Sequence, residues 1–184
     1  GRAYGQGGLG IKRHFGYRAR AGAVLSWRPS SLPIEAAPMQ PRLDYCTASP
    51  QALKGMMVLE ATLFELAIDR PLLDLIRIRV SQLNHCGFCS DMHAMAALAR
   101  GESTRRLLAL CVWRDSPLFT RREQLALAWS EATALLACAG VPDALFAAAR
   151  AEFGEQALVD LTMAVTTISG WNRLAVAFGQ LPPE

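Results

Sequence analysis

The sequence predicts an all-α domain over residues 39–184, preceded by a leader over residues 1–38 that packs little. Three observations carry this. From about Pro50 onward apolar residues recur at spacings of three and four. The period-two alternation of a half-buried strand is missing. Pro, Gly and Ser/Thr stand where helices start and stop rather than inside them.

Taken in order, Gln51 to Ile68 reads as one amphipathic helix, stopped before Asp69-Arg70-Pro71. Pro71 suits the first position of a second helix, since its missing N–H would have no partner there, and Asn84 breaks that helix after Leu83. A third helix runs from Cys86 to Arg100 with Gly101 as its C-terminal cap. Ser103 can cap a fourth that ends near Arg114. Thr120 and Glu123 form a capping box that opens a fifth, ending at Gly140. Pro142 starts a sixth, closed by Gly154, and Glu155 to Phe178 is a long, largely apolar seventh. These helices offer more apolar surface than one 146-residue unit can cover, which points to burial between subunits.

The leader holds seven of the 14 glycines and no sustained apolar period, and Pro29, Pro33 and Pro38 punctuate its end. Its Arg-rich, acid-poor character is shared with transit peptides, but it has no evident amphipathic helical stretch, and Met39 reads as a natural start. Six Lys and Arg there face Glu35 alone, so the net charge of +3 hides a mildly acidic folded part. A duplex-DNA binder would concentrate its basic residues on the folded face, so nucleic acid is not expected as a partner. The chain is 52% hydrophobic and 19% charged, enough for a sizeable core, yet no window of 18 apolar residues escapes a charge or strongly polar group. No membrane span is expected. Five cysteines in a chain too large to need staples fit a reducing cytoplasm with at most one redox-active pair.

One segment carries chemistry: Asn84-His85-Cys86-Gly87-Phe88-Cys89-Ser90-Asp91-Met92-His93. At about 100° per residue, Cys86, Cys89 and His93 fall within a helical stripe about 60° wide, so all three can touch one reagent. The break at Asn84 puts both cysteines in the first turn of the next helix, where free amide N–H groups and the macrodipole favour a thiolate and draw its pKa from about 8.5 towards neutrality. His93, one turn deeper, can take or return a proton. Three readings fit these residues. A zinc site would need a fourth ligand, and no second CxxC or HxxxH supplies one. Plain buried cysteines are the second reading, and it suits Cys111, Cys138 and Cys46, each isolated from the motif. The third is a dithiol that cycles through a disulfide; a thioredoxin fold is ruled out by the lack of βαβ units. His85 reads as an exposed turn residue or as a second imidazole of the site.

The text from Leu72 through His93 resembles the alkylhydroperoxidase AhpD-like branch of the carboxymuconolactone decarboxylase family, whose pattern is a Glu, eleven residues, and C-x-x-C-x-x-x-H. The similarity extends over Met39 to Phe178, including Met39-Gln40-Pro41-Arg42-Leu43-Asp44-Tyr45, Trp113-Arg114-Asp115-Ser116-Pro117-Leu118-Phe119-Thr120 and Trp171-Asn172-Arg173-Leu174-Ala175. Two positions depart from it. Asp74 stands where the family has Glu, and Gly87-Phe88 lie between the cysteines where the best-studied type has a His.

The resemblance implies a helical, trimeric or hexameric antioxidant thiol peroxidase or disulfide reductase with no bound cofactor. It implies Cys89 as the peroxidatic thiol, Cys86 as its disulfide partner, His93 as the assisting base and Asp74 as the carboxylate behind the imidazole. Its oxidant would be an organic hydroperoxide or hydrogen peroxide, and its reductant an external dithiol, lipoyl-type or thioredoxin-like, exchanging first at the more exposed sulfur, expected to be Cys86. The same features fit a non-catalytic redox sensor or an oligomeric binding protein switched by its disulfide. Decarboxylation of a lactone acid fits the CxxC less well.

Overall fold

The computed structural model describes residues 40–182, and the expected leader over 1–38 lies outside them. The described residues form helices and no strand. In chain order they are α1 (Tyr45–Ala48), α2 (Pro50–Thr62), α3 (Arg70–Leu83), α4 (Gly87–Ala99), α5 (Thr104–Ala109), a 3₁₀ stretch (Leu110–Asp115), α6 (Arg121–Ala134), α7 (Leu136–Ala139) and α8 (Asp143–Phe178).

α3 is the axis. Leu72 through Ile78, with Val80 and Ser81, are all buried, because α4, α6 and α8 pack around it. One apolar cluster joins Leu72, Leu73, Ile76 and Val80 to Trp129 of α6 and to Leu161, Val165 and Ile168 of α8. A second joins Leu75 and Ile78 to Ala97, Leu110, Trp113, Phe119 and Leu127. α3 enters this interior with charges, and each is paired outward. Arg77 bonds Glu60 of α2, Arg79 donates to Glu131 of α6 at 2.6 Å, and Asp74 accepts two bonds from Arg100 at 2.9 and 2.6 Å.

The local punctuation mostly follows the sequence. Asp69 caps α3 by accepting from the Leu72 amide at 2.9 Å, ahead of the proline. Thr120 and Glu123 close their capping box in both directions. Two expectations are corrected. The expected Gln51–Ile68 helix ends at Thr62, because residues 63–68 instead turn Leu63 and Ile68 into the core while the Ala67 amide donates to Asp160 of α8 at 3.0 Å. The expected fourth and fifth helices are each split. α5 gives way to the 3₁₀ stretch with Val112 outside helical geometry, and the fifth breaks at Leu135 before the short α7.

α8 is continuous in direction except at Gly154, whose φ of 76° and ψ of 174° lie in a region that only glycine adopts easily. The sixth and seventh helices meet there. A Cβ on Gly154 would touch nothing within 4 Å, so any penalty must come from the backbone itself. Gly154→Ala should therefore cost about 1–3 kcal/mol in urea unfolding without a packing defect. A cost of only a few tenths would show that the break between the two halves of α8 is not held by this residue.

Candidate functional site

The turn between α3 and α4 is fixed by polar bonds before any chemistry is considered. His85 takes a left-handed φ of 54°, and its side chain points into solvent, so it is the turn residue and not a second imidazole of the site. The Cys86 amide donates to the Ser81 carbonyl at 2.9 Å. From α8, the buried Asn172 accepts from Asn84 and donates to the Ser81 hydroxyl, both at 3.0 Å. α3 and α8 thus hold Asn84 and Cys86 on either side of His85.

Cys86 stands at the N-cap of α4, one position outside the helix rather than in its first turn, and its Sγ accepts from the Cys89 amide at 3.2 Å. It takes the acceptor part that a Ser or Asp oxygen usually plays at this position. Cys86 and Cys89 are joined in a disulfide with Cα atoms 5.4 Å apart, while Cys46, Cys111 and Cys138 are free. Both bridged cysteines are 2% exposed. The three free ones are exposed, which corrects the expectation that they fill the core.

A cavity of about 320 Å³ opens onto this disulfide from one side. Its wall is largely apolar, with Leu53, Met57, Phe88, Met92 and Trp171, and its reactive groups are Cys46, Glu60, Cys89 and His93. Cys89 borders it and Cys86 does not, and the two residues are equally buried, so Cys86 is not the more exposed of the pair that was expected to meet the dithiol donor first.

His93 is buried, and burial is the main cause that pushes its imidazole down from 6.5 to about 4; the positive charges of Arg77 and Arg100 add to the effect. The ring is therefore neutral near pH 7 while the disulfide is closed.

Asp74 does not take the place expected of it. It is 3% exposed, its two carboxylate oxygens accept from the Arg100 guanidinium, and no hydrogen bond joins it to His93 among the described residues. Arg77, three residues on, bonds Glu60. The carboxylate that borders the cavity is Glu60. Arg77 grips its Oε1, and the Trp171 indole N–H donates to its Oε2 at 3.1 Å. Glu60 belongs to a helix 26 residues before Cys86, and no local spacing marks it. Among the described residues no group of three or more His, Cys, Asp and Glu is placed to hold a metal ion, and no helix is long and apolar enough to cross a membrane.

Fold and site together define a helical protein with a CxxC disulfide at a helix start, set against an apolar cavity that a histidine and a carboxylate border. The family model of the carboxymuconolactone decarboxylases matches residues 50–132. The uncharacterized protein YdfG of Bacillus subtilis is 36% identical over 141 residues, which cover 77% of this chain and 96% of that protein. A crystal structure from Agrobacterium tumefaciens, of a protein of unknown function described as a candidate AhpD antioxidant-defence protein, is 36% identical with a TM-score of 0.77; the match covers 79% of this chain and 99% of that one. An uncharacterized peroxidase-related protein from Silicibacter shares the fold at 18% identity and a TM-score of 0.64, over 71% of this chain and 70% of its own. The chain belongs to the carboxymuconolactone decarboxylase family, in its AhpD-like branch.

The buried imidazole ties stability to pH. Between about pH 6.5 and 4 the unfolded chain binds a proton that the folded chain excludes from His93, so its contribution is full above that window and is lost as pH falls through it. The loss amounts to up to about 3 kcal/mol. Urea unfolding of the oxidised protein across this range should show it, and His93→Gln should remove that part of the slope. An unchanged slope in His93→Gln would mean that the ring is not held neutral.

Proposed function

We propose that this chain is a thiol-dependent hydroperoxide reductase that works by a Cys86–Cys89 dithiol–disulfide cycle. The observation that carries the reading is the buried disulfide whose Cys89 sulfur, with His93 and Glu60, borders an apolar cavity. The likeness to the AhpD-type protein of A. tumefaciens supports it.

In the reduced state the neutral His93, one turn from Cys89, takes the thiol proton, and the positive field of Arg77 and Arg100 with the α4 N-terminus favours the thiolate left behind. Cys89 attacks the distal oxygen of ROOH. The O–O bond breaks, Cys89 becomes a sulfenic acid, and the departing alkoxide takes a proton from His93 and leaves as ROH. Glu60, oriented by Arg77 and Trp171, accepts a hydrogen bond from the hydroperoxide O–H and so directs the distal oxygen to sulfur. Cys86 then condenses with the sulfenic acid, water departs, and the disulfide is restored. The apolar wall suits an organic hydroperoxide better than hydrogen peroxide.

An external dithiol, lipoyl-type or thioredoxin-like, supplies the two electrons that reopen the bridge, in a reducing cytoplasm that keeps such donors charged. Assembly as a trimer or hexamer would cover the apolar side chains that α2 and α8 leave exposed, Met57, Val58, Val159 and Val176 among them. Light scattering at micromolar concentration that returned a monomer would remove that part of the proposal.

Single-turnover oxidation of the reduced protein with cumene hydroperoxide and with hydrogen peroxide, followed by thiol counting, tests the chemistry. Two thiols should be lost per cumyl alcohol formed, and a dithiol donor should restore many turnovers. A single slow oxidation without turnover would point to a redox sensor instead. Cys89→Ser should abolish the reaction. Glu60→Gln should slow it about 10- to 1,000-fold with the disulfide still able to form. Asp74→Asn should act on stability through Arg100 and leave the rate of the folded protein near that of the parent. The reverse ranking of the two carboxylates would return Asp74 to the site.

A further inference from the structure

The disulfide has an access problem. Both of its sulfurs belong to residues 2% exposed, and Cys89 is reached through a cavity of about 320 Å³. A hydroperoxide fits such a space. The reactive thiol of a folded donor protein, carried on a broad surface, must instead approach Cys89 along the S–S axis for exchange.

Of the free cysteines among the described residues, Cys46 alone borders this cavity. It is also exposed, so it has one side on the solvent and one on the space that Cys89 faces. Its position is set: Asp44 caps α1 by accepting from the Cys46 amide at 2.9 Å, and the Arg42 amide donates to the Phe178 carbonyl at 2.8 Å, which ties the segment to the end of α8. Cys46 in α1 and Cys89 in α4 thus border one space from two elements.

We propose that Cys46 is a third redox thiol of the site, through which a protein dithiol opens the Cys86–Cys89 disulfide. The inference rests on the dithiol–disulfide cycle proposed above. First the Cys46 thiolate attacks Cys89 Sγ. The Cys46–Cys89 bond forms, the Cys86–Cys89 bond breaks, and Cys86 leaves as a thiolate at the α4 N-cap, where the Cys89 amide already points at its sulfur. No net oxidation occurs in this step. The donor's first thiolate then attacks the exposed Cys46 sulfur and releases the Cys89 thiolate. The donor's second thiolate attacks the resulting mixed disulfide, frees Cys46 and leaves the donor oxidised. Two electrons pass from donor to protein, and the two donor protons end on the Cys86 and Cys89 side of the exchange. Cys111 and Cys138, equally exposed but away from the cavity, have no part in it.

The test uses the full chain oxidised with diamide, so that no peroxide enters any arm. Reduction is followed with thioredoxin and, separately, with tris(2-carboxyethyl)phosphine, which is small enough to enter the cavity. Cys46→Ser should lower the rate with thioredoxin about tenfold or more while changing the phosphine rate by less than about twofold. In Cys86→Ser, diamide should close a Cys46–Cys89 bridge, found by mass mapping. A parental thioredoxin rate in Cys46→Ser overturns the proposal. So does a diamide-treated Cys86→Ser protein in which Cys46 and Cys89 remain separate. Failure to reduce cumene hydroperoxide would sink the peroxidase reading alone, because the exchange rates are read without it.

Discussion

α3 is buried on every side yet carries Asp74, Arg77 and Arg79, and the arrangement of the neighbouring helices follows from that constraint. A charge taken out of water has to be paired and hydrogen-bonded, and removing one partner of such a pair costs about 3–5 kcal/mol. Asp74 holds the last turn of α4 through Arg100, Arg77 holds the end of α2 through Glu60, and Arg79 holds α6 through Glu131. Glu131 is drawn in further by the Trp113 indole N–H at 2.8 Å and by Arg114 at 2.5 Å. These pairs contribute less to net stability than to register, since each fixes which turn of a neighbour lies opposite which turn of α3.

The candidate site inherits its polarity from that register. Glu60 borders the cavity as an oriented carboxylate because Arg77 rises from α3 to meet it and Trp171 comes from α8. The same Arg77, with Arg100 at the far end of α4, surrounds the buried His93 with positive charge. Burial is the largest cause of the neutral ring, and the arginines reinforce it. One ion pair thus serves the core, the carboxylate of the site and the field at its base.

Much of this was legible in the residues. Pro71, the Thr120–Glu123 capping box, Gly154 and the CxxC with a His four residues on are local signals, read from spacing, and the structure keeps each of them. What the sequence hid are the pairings between helices. Asp74 shares a helical face with Arg77, and neither uses the other as its hydrogen-bonded partner, because Glu60, 17 residues before Arg77, and Arg100, 26 residues after Asp74, arrive by tertiary folding. The end of α2 went unread for the same reason. Residues 63–68 have helical periodicity, but Asp160 captures the Ala67 amide and the Arg70 guanidinium lies 3.8 Å over the Phe64 ring. Cys46 was indistinguishable in sequence from a core thiol, and its place on the cavity is a property of how α1 is tied to α8.

If the disulfide cycles as proposed, the protonation of His93 is coupled to its state. With the bridge closed, burial and the two arginines hold the imidazole without a proton at neutral pH. Opening the bridge puts a thiolate one helical turn away in a largely apolar cavity, where an opposite charge at short range favours the imidazolium far more than it would in water. In the proposed cycle, reduction would draw a proton into the site together with the two electrons, and the resulting pair would suit peroxide cleavage: a nucleophile already deprotonated, and an acid beside it to protonate the departing alkoxide. On that cycle the anion disappears when the disulfide re-forms, the proton leaves with the product, and the ring is neutral again. A histidine on the surface, held near its ordinary value by solvent, would bind its proton almost independently of the sulfur's charge. Burying it beside two arginines makes its proton respond to that charge.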